Sequence, residues 1–243
     1  MYAIAVGLSI LGSLGGLLTA SIFLLLGDRV RVKLVPWLIS YAVGTLLGVA
    51  LLALVPEALT SLEARRAMPT MILGILTFFL LEKLVLWRHC HDAHECEVHT
   101  SSAASLVIVG DAFHTFVDGA VIAAAVVTSL PLGITTALAV ATHEIPQEVG
   151  DVAILLRAGY SRMRAFTLNL LAGLGGILGA VAMIFATDAL PHALPYVLSF
   201  AAGNFLYVAM ADLIPDLHHG GLEGGPIRQL LLIGAGIFTI SLL

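Results

Sequence analysis

Two short stretches of this sequence gather side chains that could hold a cation. The first has Asp111, His114, Thr115 and Asp118; the second has His143, Glu144, Gln147, Glu148 and Asp151. His114 and Asp118 are four residues apart, as are His143 and Gln147, and Glu144 and Glu148. That spacing puts two side chains on one face of a helix. At about 100° per residue the first set fills a wedge of roughly 100° and the second roughly 140°, so each stretch reads as a helix with one polar face. Imidazole nitrogen suits borderline metals such as Zn, Cu, Fe and Ni, and carboxylate oxygen suits harder ions. Asp118 and Glu144 together would balance a 2+ charge. Pro146 adds an oxygen: its ring has no N–H, so the carbonyl of Thr142 loses its helical partner and a kink is expected there.

Apolar sequence surrounds both stretches. Of 243 residues, 59% are hydrophobic and 11% charged, and the mean hydropathy is +1.03. A soluble domain has about 45–50% and about 25% respectively, so a soluble globular fold is excluded, and disorder with it. A transmembrane helix takes about 20 mostly apolar residues. Runs of that kind fall at 2–26, 35–59, 68–87, 104–127, 131–157, 160–186, 191–216 and 227–243. The expected fold class is therefore an all-α membrane protein of eight transmembrane helices, with the lipid bilayer as its surroundings. Span one has no basic segment before it and no small-residue cleavage site after it, so it reads as a helix and not a signal peptide. The net charge of −5 leaves no basic surface for nucleic acid.

The polar stretches are spans four and five of this series. An ionisable group at the bilayer centre costs about 2.5–3.5 kcal/mol on insertion scales. Nine polar positions on two adjacent spans therefore need something to offset that cost, and a bound cation would.

The chain also repeats itself. Ser40 to Glu57 aligns without gaps on Ser199 to Asp216 with eight identities in eighteen positions, and Leu8 to Ala20 on Leu168 to Ala180 with seven in thirteen. The offsets are 159 and 160, so spans 1–2 recur as spans 6–7. Five spans separate the copies, which makes them antiparallel across the membrane. Inverted repeats with a site near the midplane mark transporters. The expected division is a first repeat at 1–87, a polar loop at 88–103, a central pair of helices at 104–157 and the inverted repeat at 158–243. Nine of the eleven Lys and Arg flank the odd-numbered loops; only Arg65 and Arg66 oppose them. This bias places the odd loops in the cytoplasm and both termini outside.

Peripheral features fit the same picture. His89, Cys90, His91, Asp92, His94, Glu95, Cys96 and His99 crowd the cytoplasmic loop, where thiols stay reduced, and suggest adaptable metal binding. Glu57 ends span two on the outer side, and its repeat mate Asp216, with His218 and His219, ends span seven on the inner side. They are candidate entrance and exit relays. The glycine strings Gly12 to Gly16 and Gly173 to Gly179 read as helix packing.

With those residues in place, the sequence resembles a family. His114-Thr-Phe-Val-Asp-Gly119 resembles the H-N-F-x-D-G motif in span four of the ZIP (Zrt/Irt-like) metal transporters, and His143-Glu-Ile-Pro-Gln-Glu-Val-Gly-Asp151 resembles their span-five motif H-E-I-P-H-E-x-G-D. The resemblance implies eight spans in a 3+2+3 arrangement and entry of zinc and related divalent metals into the cytoplasm. It implies that His114, Asp118 and His143 bind the primary metal, with Glu144 and Asp118 facing a second site. Thr115 stands where the motif has Asn, Gln147 where it has a second His, and Ala172 where some relatives have Glu, with Asn169 one turn earlier. The second site is therefore expected to be weak. Zn²⁺ is the expected substrate, with Fe²⁺, Mn²⁺ and Cd²⁺ as other candidates; no resident cofactor is expected. The expected location is a cell membrane, plasma or bacterial inner, and a homodimer is compatible with the sequence. Two other readings stand beside transport. His143-Glu-Ile-Pro-Gln147 is a broken H-E-x-x-H of an intramembrane metalloprotease, and a membrane metal sensor would use the same ligands without a pathway.

Overall fold

The computed structural model describes residues 1–24, 28–87, 100–219 and 225–243, so the His89–His99 tract lies outside the described residues. Every regular element among the described residues is helical. In order these are α1 (Tyr2–Leu24), α2 (Asp28–Gly48), α3 (Val55–Ser61), α4 (Ala64–Trp87), α5 (Thr100–Thr128), α6 (Leu130–Arg157), α7 (Arg162–Ala189), α8 (Leu194–Tyr207), α9 (Ile214–His219) and α10 (Pro226–Ser241). Two pairs are not separate rods: α2 runs into α3 through a π-helical segment at Val49–Leu54, and α8 into α9 through another at Val208–Leu213. Among the described residues this leaves eight rods, consistent with the expected spans. Six of them are long and apolar enough to cross a bilayer. The other two are α6, whose polar face lowers its hydropathy, and α10, which is 16 residues long.

Short connectors hold the rods close. Ser129 alone joins α5 to α6, and its hydroxyl accepts from the Leu132 N–H at 3.3 Å to cap the new helix. After α6, Gly159 takes φ +85°, and the N–H groups of Tyr160 and Gly159 close back on the carbonyls of Leu155 and Leu156, both at 3.1 Å. A side chain there would be strained in the left-handed region.

The repeat is visible in the packing. α1 packs on α6 and α7 on α5; α2 packs on α10 and α8 on α4. Exchanging the first three rods with the last three, and α5 with α6, maps this set of neighbours onto itself. The match extends to single residues. Gly44 of α2 abuts the carbonyl of Ile233, and Gly236 that of Tyr41. In the other half Gly203 of α8 abuts the carbonyl of Met71, and Gly74 that of Phe200. Gly203 is Gly44 plus 159, and Met71 and Gly74 become Ile233 and Gly236 by adding 162. Such carbonyl-to-glycine contacts need a residue with no side chain.

The π segments also coincide under the offset of 159, each ending one residue before the pair Val55-Pro56 or Ile214-Pro215. A proline ring clashes with the carbonyl four residues before it, here Leu52 and Ala211. A widened turn relieves that clash. By contrast, α6 passes through Pro146 as one uninterrupted α-helix.

Candidate metal centre

Helices α5 and α6 meet side by side at mid-length, and their polar faces meet there. Four groups converge: His114 and Asp118 from α5, His143 and Glu144 from α6, with one donor atom of each within 4.8 Å of the others. All four are buried, with Asp118, His143 and Glu144 fully so. The His143 Nδ1–H donates to the Ala139 carbonyl one turn earlier, at 3.0 Å. That bond fixes the tautomer and turns the Nε2 lone pair inward. Nε2 of His143 then lies 3.1 Å from Asp118 Oδ2 and 3.2 Å from His114 Nε2, and His114 Nε2 lies 3.5 Å from Asp118 Oδ2. Glu144 Oε1 is 3.9 Å from His114 Nε2.

Lone pairs at those separations repel unless a proton or a metal cation lies among them. Ligands at about 2.0–2.2 Å from a tetrahedral Zn²⁺ stand roughly 3.3 Å from each other, which is the spacing of His114, Asp118 and His143; Glu144 stands further out, 3.9 Å from His114. Both oxygens of Asp118 and both of Glu144 are buried without a hydrogen-bond partner. A buried carboxylate with no partner is costly, and a divalent ion would satisfy two at once. The edges of Phe78 and Phe205 pack on His114 and His143, with ring centroids 5.8 and 6.1 Å apart, and hold the imidazoles in place. Gly16 of α1 lets that helix lie against Glu144, whose Cβ would be 2.7 Å from any side-chain carbon added there.

Other candidate ligands take different positions. The Thr115 hydroxyl donates to the backbone carbonyl of Asp111 at 2.5 Å and so faces its own helix. Gln147 is half-buried one turn beyond His143. Asp111 and Glu148 are buried, with Asp111 Oδ2 and both Glu148 oxygens unpartnered, and they lie near Asp151 on the side of the centre toward the start of α5 and the end of α6. Asn169 of α7 is fully buried, and neither its amide oxygen nor its nitrogen has a partner. Thr142 is tied to α2 through Thr45, their hydroxyls 2.7 Å apart. On the opposite side of the centre the packing is mostly apolar: Ile122 to Val126 of α5, Ala139 and Val140 of α6, and Leu46 of α2 are fully buried, with Thr135 and Thr136 of α6 the buried polar exceptions on that half of the helix. Sequence spacing could place ligands on a face, but it carried no signal for the Ala139 carbonyl or the two phenylalanines.

Residues 87–243, more than half of the chain, match the family model described as ZIP zinc transporter. The chain belongs to the ZIP zinc transporter family. It is similar to the zinc transporter ZIP13 of Pongo abelii, 35% identical over 236 residues that cover 89% of this chain and 70% of the relative. The human zinc transporter ZIP13 is 30% identical over 273 aligned residues, covering 89% and 74%. The zinc transporter zipt-7.2 of Caenorhabditis elegans is 35% identical over 144 residues, 58% of this chain and 31% of that protein. The family's activity is transport and not catalysis, which sets aside the protease and sensor readings of the same residues. Gln147 already breaks the H-E-x-x-H pattern that a protease would need.

Proposed function

We propose that this chain carries Zn²⁺ across a cell membrane into the cytoplasm, with His114, Asp118, His143 and Glu144 as the transport site. The observation that carries this reading is the meeting of two imidazoles and a carboxylate 3.1–3.5 Å apart, with a second buried and unpartnered carboxylate beside them, midway along two central helices. Asp111, Glu148 and Asp151 continue the polar path in one direction only, and the Arg/Lys bias makes that direction cytoplasmic. The tightly packed, mostly apolar outer half then corresponds to a state closed to the outside. Thr115, Gln147 and Asn169 border the centre as weak neutral donors to a second ion. Fe²⁺, Mn²⁺ and Cd²⁺ are accepted in so far as they tolerate two imidazoles and two carboxylates. The exchange symmetry of the rods supports the division into 1–87, 88–103, 104–157 and 158–243, and a homodimer is compatible with it.

Reconstituted liposomes loaded with a fluorescent chelator test the activity. Zn²⁺ should enter protein-containing vesicles at several times the rate of empty ones, and Mg²⁺, which prefers all-oxygen octahedral sites, should not. Entry of Mg²⁺ as fast as Zn²⁺ would reject a site built on imidazole. The half-buried Gln147 gives a second test. Its amide offers one carbonyl oxygen, whereas histidine offers a nitrogen that Zn²⁺ binds well. Gln147→His should tighten Zn²⁺ binding and slow turnover, because conduction needs binding weak enough for release. Two tight zinc equivalents in the unmodified protein, counted with the loop histidines removed and unchanged by Gln147→His, would contradict this.

A further inference from the structure

A second polar site lies far from the central one, at the end of the bundle where α3 and α5 finish and α4 and α8 begin. A cavity of about 540 Å³ opens there, lined among others by Glu57 and Ser61 of α3, Arg66 of α4, Thr128 of α5, and His192 and Tyr196 beside and within α8. Glu57 is in the first turn of α3, three residues after the π segment, and is half-buried. His192 is exposed on the single 3₁₀ turn Pro191–Ala193 that joins α7 to α8. Among the described residues it is the one histidine at this end of the bundle; His114 and His143 are central, and His218 and His219 close α9 at the other.

From this juxtaposition we infer that Glu57 and His192 form an outer capture site for a borderline divalent cation such as Zn²⁺. An imidazole and a carboxylate across one cavity are the donor classes such an ion takes, and the Ser61 and Thr128 hydroxyls supply further oxygens. Leu62, Leu194 and Leu198 also line the cavity and Leu198 is buried, so the ion held there is separated from the central site by apolar packing. Arg66 shares the cavity, its Nη1 donating to the Tyr196 hydroxyl at 3.5 Å. Its positive charge weakens cation binding, which suits a site that must give its ion up again. The inference rests on the proposed transport direction for the word outer, but the ligation itself does not depend on it.

The test separates the two. In cells taking up Zn²⁺, His192→Ala and Glu57→Ala should each raise the half-saturating zinc concentration about three- to tenfold, and the deficit should close as zinc is raised. Arg66→Ala should lower that concentration. Direct binding is then measured on purified protein carrying His143→Ala and Asp118→Ala, with the four loop histidines replaced by serine. One weak zinc equivalent should be lost when His192→Ala is added. Unchanged half-saturation together with no lost equivalent overturns the capture site while leaving the transport reading intact. A lost equivalent in a protein that never transports supports the capture site and counts against the transport reading alone.

Discussion

Zinc uptake falls to background when His143 is replaced by alanine, and folded protein is still recovered at close to the unmodified yield. Both halves of this expectation come from the same geometry. His143 Nε2 is within 3.2 Å of both Asp118 and His114 and is held by the Ala139 carbonyl, so its loss removes one ligand and leaves the others unsupported. Losing even an outer partner of a metal ligand costs about 10–100-fold, and a direct ligand should cost at least that. Stability moves little, because an ionisable group is itself expensive at this depth, by about 2.5–3.5 kcal/mol for an isolated charge. Asp118→Ala should act alike. Uptake is read with a chelating fluorophore and folding by size-exclusion profile. If both variants transport at the unmodified rate, the pathway lies elsewhere.

Gly119→Ala is expected to have the opposite profile, with loss of the folded protein before any question of transport arises. Gly119 of α5 faces the backbone of Gly176 of α7, and a Cβ there would overlap the Gly176 carbonyl oxygen. Backbone cannot turn aside as a side-chain tip can, so the two helices must separate. Overpacking of this kind costs about 1–3 kcal/mol and sometimes more. Gly15→Ala is the control: nothing lies within 4 Å of its position, and alanine favours the helix by roughly 0.5–1 kcal/mol over glycine. A thermal ladder in detergent should therefore show Gly119→Ala melting below the unmodified protein and Gly15→Ala at or above it. Equal melting of Gly119→Ala and the unmodified protein would show that α5 and α7 do not touch as described.

These cases also show what the sequence could and could not convey. Span positions were legible because bilayer thickness fixes their length, and the rods follow them to within a few residues. Helical period made one polar face legible on each central span, and the family resemblance marked His114, Asp118, His143 and Glu144 within those faces; their meeting across two helices is a matter of packing. The π segments were not. A residue added to a turn leaves composition and hydropathy unchanged, and the only trace was the proline that follows each one; Pro146 in α6 carries the same trace without a π segment before it. Spacing puts Thr115 on the polar face, but it cannot show that the hydroxyl donates its hydrogen to the Asp111 carbonyl and keeps only its lone pairs free. His192 carried no signal because a three-residue connector has no period, and its meaning depends on which chain ends the fold brings beside it.

The π segment at Val49–Leu54 has an angular consequence. Each residue added to a helix advances everything beyond it by about 100° around the axis, so the surplus residue sets the azimuth at which Glu57 leaves α3. Were that turn α-helical and one residue shorter, the carboxylate would point roughly a quarter-turn away from the cavity it shares with His192. The same phase advance in Val208–Leu213 sets the azimuth of Asp216 at the far end of its rod. The two widened turns thus act as fixed rotational offsets, one for each end of the bundle.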